Sequence, residues 1–532
     1  MINNLITNLI QKKNPIIDDA IQLIKDVYLQ DINEENPKPW VVGYSGGKDS
    51  STVVQLIFEA LTQLSKEQLH KKIYIISSDT LVETPLIISF INRTLQRIQD
   101  RALELNLPIE THKVKPNYKQ SFWSMLIGQG YPSPNQNFRW CTDRLKIEPA
   151  NRFITEKVSE HGEVIMVLGM RDNESATRAN VMKSYTVEGK VLMRHSTLTK
   201  ALVFAPIRNF SVDDVWNYLN NHESPWGDDN KTLQKLYQDS SSDAECPLVI
   251  DKSIKESAGS CGNSRFGCWT CTVVTEDKAV KGFIDNGEEW LKPLLSFRDW
   301  LVDIRDERIY RQKYRKNGQI YFTDVTIETK EDKAYVVIPK KSRRSRGYIP
   351  LENFEIVKKE KLKEYLLYNN IDLSDFDDTN LLIESLDDDG KVKYERLGLG
   401  PFTMVAREMI LRKLLQLQNE VEFPDGLKFD LIKKEELKII RKIWLDNGEL
   451  HDKLPQIFAE EMGYDLDWEY NDRPLFDSNQ LTDLELLCQE HNVDFKALKS
   501  LISIQKQYNG YKIRRGIYQD IEKALKQDYL HL

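Results

Sequence analysis

Residues 41–61 read VVGYSGGKDSSTVVQLIFEAL, and they join a short apolar run to a helical pattern through a glycine-rich turn. The apolar run at 40–44 predicts a buried strand, and the pattern after it predicts a helix over residues 49–64. In the turn, Ser45, Gly46 and Gly47 present backbone N–H groups at the start of that helix, where the macrodipole favours a bound anion. The stretch therefore predicts a strand, a phosphate-binding turn and a helix.

The turn differs from the Walker A loop of kinases and GTPases. That loop needs the pattern G-x-x-x-x-G-K followed by Ser or Thr. Here Gly43 stands one residue too close to Gly47, and Lys48 is followed by Asp49. Because Lys48 still contributes a positive charge and Ser50 a hydroxyl, the turn predicts binding of a nucleotide phosphate without γ-phosphoryl transfer of the Walker type.

Three further apolar runs, at 73–77, 109–116 and 163–170, alternate with helical patterns such as 85–105. Strands that alternate with helices are typical of a parallel sheet with right-handed crossovers and helices on both faces. In such sheets, ligands bind beyond the carboxyl ends of the strands. We therefore expect a doubly wound parallel α/β fold with its site at that edge.

The chain has 532 residues, which is long enough for two or three domains. Hydrophobic residues make up 40% and charged residues 29%, the balance of a globular protein in water. The net charge of −8 (74 − 82) argues against a protein that coats nucleic acid over its whole surface. Since the sequence has no apolar run near the roughly 20 residues of a membrane helix and no signal-peptide pattern, we expect a cytoplasmic protein.

Changes in composition along the chain predict five segments. They are an N-terminal helical segment at 1–37, the α/β domain at 38–225, a cysteine-rich segment at 226–300, a basic α+β region at 301–430 and a helical C-terminal region at 431–532. The cysteine-rich segment is polar and rich in Gly and Ser, more typical of an inserted site than of a helix. Three basic runs, at 308–316, 340–346 and 506–516, are candidates for contact with DNA phosphates, with a partner or with solvent.

Six cysteines are too few for a disulfide scaffold in a chain of this length. Cys268 and Cys271 form a C-x-x-C, Cys261 precedes it by seven residues and Cys246 lies further upstream, whereas Cys488 stands alone and predicts a buried structural thiol. The spacing admits a redox pair, a zinc knuckle or an iron–sulfur cluster. A redox pair leaves Cys261 without a role and a knuckle lacks histidines, so ligation of zinc or of a cluster by thiolates stays open.

The turn at 45–50 resembles that of the PP-loop ATP pyrophosphatases. Asp79-Thr80 with Glu83-Thr84 is similar to the D-T-x-x-x-x-E-T element of the phosphoadenosine-phosphosulfate (PAPS) reductases in that superfamily, but one or two residues shorter. Three further motifs resemble the same family, and the first of them is RWCTDRLKIEP at 139–149, which contains Arg139, Cys141, Arg144 and Lys146. Residues 169–178 match G-x-R-x-x-E-S-x-x-R, and residues 204–219 match P-I-x-x-W-S-x-x-D-V-W with Phe210 in place of Trp. The resemblance covers roughly residues 38–220.

This resemblance implies that an acceptor attacks the α-phosphate of ATP and that pyrophosphate leaves, with Mg²⁺ as the accompanying ion. It implies catalytic roles for Lys48, Asp49, Arg144 and Arg171, since cations at the strand ends suit a triphosphate or a phosphorylated substrate. The residues it assigns to nucleotide binding are Ser45, Gly46, Gly47, Lys48, Asp49, Ser50, Asp79, Thr80, Gly169, Arg171 and Arg178.

Members of that family with a [4Fe–4S] cluster take ligands from a Cys in C-x-x-R-K and from a later C-x-x-C. Here Cys141 and Arg144 match the first element, with Leu145 inserted before Lys146. The resemblance therefore implies four cluster ligands, which are Cys141, Cys261, Cys268 and Cys271. Cys246 is the rival fourth ligand, and if it is not a ligand it is a candidate persulfide carrier in catalysis.

Residues 246–274 and 400–415 most resemble the DndC-type proteins of bacterial DNA phosphorothioation, with the SspD-type proteins of the single-strand system as close relatives. The resemblance implies an ATP-dependent sulfurtransferase of a restriction–modification system. Such an enzyme adenylates a DNA backbone phosphate, and sulfur then replaces a non-bridging oxygen. The implied partners are DNA, a cysteine desulfurase as the sulfur or cluster source, and other phosphorothioation proteins of the DndD and DndE kind.

Three other functions are alternatives to this hypothesis. A PAPS or APS reductase predicts a smaller chain with a nucleophilic cysteine near its carboxyl end, where this sequence reads DYLHL. A tRNA thiolase needs an RNA-binding module, which the sequence does not reveal. The third alternative is a non-enzymatic iron–sulfur protein that regulates DNA, which would not need the full set of nucleotide motifs. Measurable ATP hydrolysis by the protein would argue against it.

Overall fold

The structure is a computed structural model. It describes residues 15–172, 191–195, 197–239, 267–316, 319–339, 346–368, 377–387, 389–424, 429–449, 451–468, 476, 478–508 and 516–525. The chain divides into two compact units. The first consists of Met1–Phe122, Pro134–Arg298 and Val421–Phe429, and the second of Trp123–Ser133, Asp299–Glu420 and Asp430–Leu532.

Within its described residues, the first unit contains a six-stranded sheet in the order β3-β2-β1-β4-β6-β5. The strands are β1 (Trp40–Gly43), β2 (Ile73–Ser78), β3 (Ile109–Val114), β4 (Val164–Val167), β5 (Met193–Arg194) and β6 (Ala201–Phe204). β1 pairs in parallel with both β2 and β4, and only the edge strand β5 is antiparallel to its neighbour. The parallel α/β fold expected from the sequence is therefore confirmed.

Helices cover both faces of this sheet. Those of the first part of the chain are α1 (Pro15–Leu29), α2 (Lys48–Thr62), α3 (Pro85–Glu104), α4 (Glu148–His161), α5 (Val212–Asn221), α6 (Asn230–Asp239), α7 (Lys278–Asp285) and α8 (Lys292–Arg305). One face buries a core between alternate strand residues and α4, made of Val41, Tyr74, Ile76, Val114, Ala150, Ile154, Val164 and Met166. α2 and α3 follow β1 and β2, so right-handed crossovers place both helices on the other face.

The strand order reverses direction between β1 and β4. From β1 the chain proceeds through β2 to β3 on one side, and it then returns to place β4 and β6 on the other side. Such a switch point opens a crevice at the carboxyl ends of the two strands, and ligands bind there in parallel α/β sheets. The fold thus predicts a site between the ends of β1 and β4.

A buried ion pair closes the opposite end of β1 and β2. The Asp31 carboxylate lies 2.5 Å from Lys71 Nζ and 3.1 Å from His70 Nε2, and it accepts a 2.7 Å hydrogen bond from Lys38 N–H. Lys71 Nζ also lies 5.1 Å from the centroid of the Tyr28 ring. Burial alone would raise the pKa of Asp31, but the hydrogen bonds from Lys71, Lys38 and His70 outweigh burial and lower that pKa.

This pKa predicts how stability depends on pH. The folded-state pKa of Asp31 lies below the unfolded value of about 3.9. The contribution of this carboxylate to the free energy of unfolding is therefore complete above the unfolded pKa, and it is lost as the pH falls through the folded pKa. We expect Asp31→Asn to lower the free energy of unfolding at neutral pH by about 3 kcal/mol, because Lys71 then stays buried without its partner. Urea-unfolding midpoints are measured between about pH 3 and pH 7. As the pH falls, the midpoint should decrease less in the variant than in the wild type.

Glu34→Gln provides the matched control for this prediction. Glu34 lies on the same turn and contacts Lys38 at 2.8 Å, but its side chain is 53% exposed. An exposed pair of this kind contributes about 0–1 kcal/mol, so the control should follow the wild-type curve. If the urea-unfolding midpoint depended on pH in the same way in the wild type and in Asp31→Asn, the role assigned to this carboxylate would be contradicted.

The second unit contains two smaller sheets in its described part. The strands are β7 (Phe322–Val325), β8 (Ile327–Lys330), β9 (Lys333–Pro339), β10 (Arg346–Pro350), β11 (Glu355–Lys358), β12 (Leu381–Leu386) and β13 (Val392–Leu397). They form a three-stranded sheet, β10-β9-β8, and a four-stranded sheet, β11-β12-β13-β7. The helices are α9 (Leu362–Tyr368), α10 (Met404–Glu420), α11 (Lys434–Asp446), α12 (Lys453–Met462), α13 (Ser478–Glu490), α14 (Phe495–Gln507) and α15 (Ile517–Leu525).

The basic run at 308–316 supplies internal contacts in this unit. Arg308 forms an ion pair with Asp378 and donates a 2.9 Å hydrogen bond to Leu397 O. Arg311 is buried and donates to Gly400 O at 2.6 Å and to Leu399 O at 3.0 Å. These two arginines therefore have structural contacts, whereas most of the runs at 340–346 and 506–516 lies outside the described residues.

Two features of the fold differ from the sequence expectations. The cysteine-rich segment begins with the helix α6, whose polar sequence NKTLQKLYQD conceals a buried face formed by Asn230, Leu233 and Tyr237. The region 301–430 contains seven described strands where the sequence predicted one short strand-like run at 335–338. β9 contains that run, whereas β7, β8 and β11 are four-residue strands with mostly exposed or half-exposed side chains, so they lack the continuous apolar run that indicates a buried strand.

In the described part of the chain, we find no helix that is both long enough and apolar enough to cross a membrane. The isolated Cys488 is buried on α13, as predicted for a structural thiol.

Candidate functional site

Three of the sequence motifs meet at the carboxyl edge of the parallel sheet. Residues 45–50 follow β1, Asp79 and Thr80 follow β2, and Gly169 and Arg171 follow β4. Because β1 lies between β2 and β4, the three motifs are neighbours in space. The candidate site is therefore at the switch point that the strand order predicts.

The predicted phosphate-binding turn, residues 45–50, contains one residue with a positive φ. Gly46 has a φ of +75°, a conformation that L side chains rarely adopt, and a Cβ at this position would lie 2.7 Å from Ile91 Cγ1. The turn is braced by Ser50, whose hydroxyl donates to Gly47 O at 3.0 Å and lies 3.2 Å from Ser45 Oγ. α2 begins at Lys48, so its first backbone N–H groups face the turn.

Asp49 connects the turn to the motif after β4. Its carboxylate lies 3.0 Å from Lys48 Nζ and 2.6 Å from Arg171 Nε, and the side chains of Lys48 and Arg171 are only 3% and 2% exposed. A Cβ on Gly169 would lie 2.9 Å from the carbonyl carbon of Asp49, so only glycine permits this approach of the two backbones. The buried carboxylate thus orients two cations around the place where a phosphate would bind.

The second motif forms a compact polar cluster at the end of β2. Asp79 accepts a 3.0 Å hydrogen bond from Leu81 N–H. The Thr80 hydroxyl donates to Glu83 Oε1 at 3.0 Å, and Lys146 Nζ lies 3.8 Å from the same oxygen. Glu83 is therefore held by two groups and is itself buried.

The C-x-x-C segment docks directly on this cluster. Cys268 and Glu83 form an antiparallel β-bridge, with a 3.2 Å hydrogen bond from Thr84 N–H to Gly267 O and a 3.1 Å bond from Trp269 N–H to Val82 O. The Cys268 sulfur lies 3.3 Å from Thr80 Oγ1 and 3.9 Å from Glu83 Oε1. The backbone pairing thus fixes the cysteine segment against the end of β2.

Three of the predicted cluster ligands are close enough to influence one another electrostatically. Burial, together with the Cys271 sulfur and partly offset by Lys146, raises the pKa of Cys141 to about 12. Burial and the nearby Glu83 charge raise the pKa of Cys268, and burial raises that of Cys271. None of the three thiols is in a disulfide.

The donor set fits a metal or cluster in its chemistry. These half-buried thiols, whose pKa values are raised, stay protonated until a metal cation stabilises the thiolates. Yet across the described ranges no three His, Cys, Asp or Glu side chains form a group that could hold a metal ion. The predicted ligand Cys261 and Cys246, the rival of Cys141 as the fourth ligand, both lie outside the described residues, so the [4Fe–4S] cluster stays a prediction.

The two remaining predicted phosphate contacts are Arg144 and Arg178. Arg144 lies half-buried on the π-helical turn Asp143–Ile147, between Cys141 and α4. Arg178 lies outside the described residues, as do Glu174 and Ser175 of the same motif.

Two contacts of the site were missed by motif reasoning. Arg298, on α8, is fully buried and donates hydrogen bonds to Cys271 O at 2.7 Å, to Thr275 O at 3.0 Å and to Val274 O. Tyr237, on α6, contacts the phosphate-binding turn through its hydroxyl. A lone arginine within LLSFRDWL and a tyrosine within a polar helix carry no motif, and only the fold reveals their neighbours.

Two family models match the sequence. Residues 39–274 match the phosphoadenosine phosphosulfate reductase domain, and residues 479–526 match a small protein found in certain Dnd DNA modification systems. The chain therefore carries a PAPS-reductase-like domain of the PP-loop superfamily together with a Dnd-associated segment. The resemblance of the α/β domain to PAPS reductases is confirmed.

Individual proteins are similar to this chain at sequence identities below 30%. An uncharacterized protein of Methanocaldococcus jannaschii is 29% identical over 217 residues, which are 41% of this chain and 37% of that protein. The FMN adenylyltransferase of Candida glabrata is 14% identical, with 41% of this chain and 65% of that one covered and a TM-score of 0.25. The U34-tRNA thiolase NcsA of Methanococcus maripaludis, solved with its [4Fe-4S] cluster, is 15% identical, with 42% and 73% covered and a TM-score of 0.26.

Proposed function

We propose that the protein is the ATP-dependent sulfurtransferase of a bacterial DNA phosphorothioation system, of the DndC type. One observation carries the proposal: the C-x-x-C segment is paired to the end of β2, where Cys268 lies 3.3 Å from Thr80 of the nucleotide motif. Sulfur chemistry and nucleotide binding thus share one edge of one sheet. The PAPS-reductase-like domain and the Dnd-associated segment support the same function.

The first half-reaction is adenylation. A non-bridging oxygen of the DNA phosphodiester attacks the α-phosphorus of ATP, a new P–O bond forms, and the bond to the β-phosphate breaks to release pyrophosphate. The backbone N–H groups of the turn and the side chains of Lys48 and Arg171 stabilise the negative charge that develops on the leaving group. Asp49, which contacts both cations, acts by positioning them.

Mg²⁺ is expected to accompany the nucleotide in this step. The ion prefers phosphate oxygens together with one or two carboxylates. Asp79, at the end of β2, is buried and lies 3.6 Å from Lys115 Nζ, and it is the carboxylate of this edge that we assign to the ion.

The second half-reaction transfers sulfur. Hydrosulfide attacks the activated DNA phosphorus, a P–S bond forms, the bond to AMP breaks, and the sulfur loses its proton to solvent. With hydrosulfide as donor, atoms and electrons balance without a reductant. A cysteine desulfurase is the proposed source of this sulfur, and Cys246 is a candidate persulfide carrier. On that route a thiol reductant cleaves the Cys246 persulfide, which releases hydrosulfide while the thiol is oxidised to a disulfide.

Cys261, Cys268 and Cys271 would hold a [4Fe–4S] cluster together with Cys141 or, as its rival, Cys246 as the fourth ligand. When bound, such a cluster would supply iron that is able to hold inorganic sulfide in exchange for one of these thiolates. The chain's own contribution is positional. Arg298 fixes the carbonyl groups at Cys271, Val274 and Thr275, and the β-bridge to Glu83 fixes Cys268.

The experiment that tests the proposal uses the full chain under anaerobic conditions. The protein is incubated with ATP, Mg²⁺, sulfide and duplex or single-stranded DNA, with a cysteine desulfurase and the DndD- and DndE-type partners added in turn. Nucleotide products are measured by chromatography, and phosphorothioate linkages by mass spectrometry after nuclease digestion. We expect AMP and pyrophosphate in equal amounts, together with sulfur in the DNA backbone.

Other products would decide for another function. ADP and inorganic phosphate would contradict the assignment of the turn as a pyrophosphate site. Sulfur incorporated into tRNA and not into DNA would identify a tRNA thiolase. Sulfite formed from PAPS or APS with a reductant would identify a reductase of sulfur assimilation.

A further inference from the structure

The three-stranded sheet β10-β9-β8 of the second unit has one face in the protein interior. Ile327, Val336 and Ile349 lie directly opposite one another in the register of the three strands. Val336 is fully buried, and the other two pack with it in a hydrophobic cluster. Side chains alternate between the two faces of a sheet, so the neighbours of these three residues belong to the opposite face. We call this opposite face the outer face.

The outer face carries two tyrosines and two lysines, which are Tyr335 on β9, Tyr348 on β10, Lys330 at the end of β8 and Lys333 at the start of β9. The two tyrosine rings pack edge-on with centroids 6.4 Å apart, and Lys330 Nζ lies 3.1 Å from the centroid of the Tyr348 ring. Tyr348 is 37% exposed. The cation–π contact therefore holds one ammonium group at a defined place on this surface.

Lys330 and Lys333 lie opposite each other across the two-residue turn between β8 and β9. Both are exposed, and in the part of the chain that the structure describes neither lysine forms an ion pair. Like charges directly opposite each other destabilise a pair of strands, and a bound anion would remove that repulsion. The hydroxyls of Tyr335 and Tyr348 likewise have no hydrogen-bond partner among the described residues, so both are able to donate to the same anion.

The sequence of this sheet is positively charged, although the whole chain has a net charge of −8. Residues 327–350 contain seven Lys and Arg and three Asp and Glu, which gives a net charge of +4 (7 − 3). Five of the seven cations belong to the basic run at 340–346, of which 340–345 lie outside the described residues. The three acids are Glu328 on the outer face and Glu331 and Asp332 in the turn. Excess positive charge beside tyrosine hydroxyls is complementary to the phosphates of a nucleic acid.

We propose that the outer face of β8, β9 and β10 binds the phosphates of the DNA backbone. Lys330 and Lys333 provide the charge, and the hydroxyls of Tyr335 and Tyr348 donate hydrogen bonds to phosphate oxygens. The inference rests on the proposed function, which makes DNA the substrate, and it assigns the surface of the second unit that holds this substrate. Contacts with phosphates carry no sequence information, so this face binds DNA of any sequence.

The test measures binding of a fluorescein-labelled DNA duplex to the full chain by fluorescence anisotropy, without nucleotide and at several salt concentrations. The double variant Lys330→Ala, Lys333→Ala should bind the duplex about 10-fold more weakly at about 100 mM salt. A plot of log K against log salt concentration should have a slope that is less negative by about 2, because each lost phosphate contact removes about 0.9. A merely structural change would weaken binding without this change in slope.

The double variant Tyr335→Phe, Tyr348→Phe removes only the two hydroxyls and keeps both rings. We expect it to bind the duplex about 2-fold to 10-fold more weakly, the loss that corresponds to a missing hydrogen bond. Its salt slope should equal that of the wild type, because a neutral donor releases no counterion from DNA.

The matched control is Lys358→Ala, Lys361→Ala. Both lysines are exposed in the same unit but lie outside the three-stranded sheet, on β11 and in the turn that follows it. The affinity of this control for DNA should stay within about twofold of the wild-type value. If the control loses as much affinity as Lys330→Ala, Lys333→Ala, binding depends on overall charge and the inference is wrong.

Three further results would overturn the inference. They are a wild-type chain that does not bind the duplex, a Lys330→Ala, Lys333→Ala variant that binds it like the wild type, and a variant that loses only its binding to a DndD- or DndE-type protein, which would identify a protein partner for this face. The nucleotide products test the proposed function separately. A chain that binds DNA through this face but forms ADP and inorganic phosphate would overturn the proposed function alone.

Discussion

Lys48→Ala is expected to reduce pyrophosphate release from ATP by at least about 100-fold, the usual loss when a group that stabilises transition-state charge is removed from an enclosed site. Lys48 Nζ lies 3.0 Å from Asp49 in a buried position at the start of α2. Its removal leaves Arg171 as the partner of that carboxylate and takes one positive charge from the leaving group. The measurement is the rate at which pyrophosphate forms in a coupled phosphate assay.

Lys72→Ala is the control for this result. Lys72 lies at the other end of the sheet, just before β2, and its exposed side chain pairs with Glu110. We expect it to release pyrophosphate at the wild-type rate. The thermal unfolding midpoint of Lys48→Ala should stay close to that of the wild type, and undiminished pyrophosphate release by a folded Lys48→Ala protein would exclude residues 45–50 as the site.

Cys268→Ser and Cys271→Ser are each expected to lose most of the iron and acid-labile sulfide that the anaerobically purified wild type should contain, because thiolate ligands hold such clusters. The wild type should be brown, with an absorption band near the blue end of the visible spectrum. The variants should be pale. They should still bind pyrophosphate, since we assign pyrophosphate binding to residues 45–50, which include neither cysteine. Iron and sulfide per chain, together with the absorption spectrum, are the measurements.

Cys488→Ser separates ligation from general loss of thiols. Cys488 is buried on α13 in the second unit, so its replacement should leave the iron content unchanged. A colourless wild-type protein with one zinc ion per chain would contradict the cluster, and so would equal iron content in all four proteins.

The parallel sheet and the glycine-rich turn after β1 were predictable from sequence because both are local. Two short apolar runs predicted β1 and β2 within a residue or two of their observed ends. The conformation of Gly46 and the start of α2 at Lys48 follow from the types of residue in six consecutive positions. Their meeting with Asp79 and Arg171 then follows from the strand order, since polar residues at the ends of adjacent parallel strands must be neighbours.

Contacts between distant segments were not predictable in this way. The Cys268 sulfur and Thr80 are 188 residues apart in sequence, and Tyr237 lies 189 residues from Lys48. Neither contact produces a periodic pattern in the sequence, because each depends on the path that a long connecting segment takes back to the sheet. The buried Arg298 is similar, since its role depends on three carbonyl groups that no residue type reveals.

The β-bridge between Cys268 and Glu83 has a consequence for the spacing of the nucleotide motif. Side chains alternate between the two sides of a paired strand, so a slip of one residue turns each of them to the opposite side. If one residue were inserted between Thr80 and Glu83, Cys268 would therefore no longer lie beside Thr80. Gly267 or Trp269 would take its place. The shortened D-T-x-x-E-T element of this chain and the position of its C-x-x-C thus form a matched pair, and a change in the length of either requires a compensating change in the other.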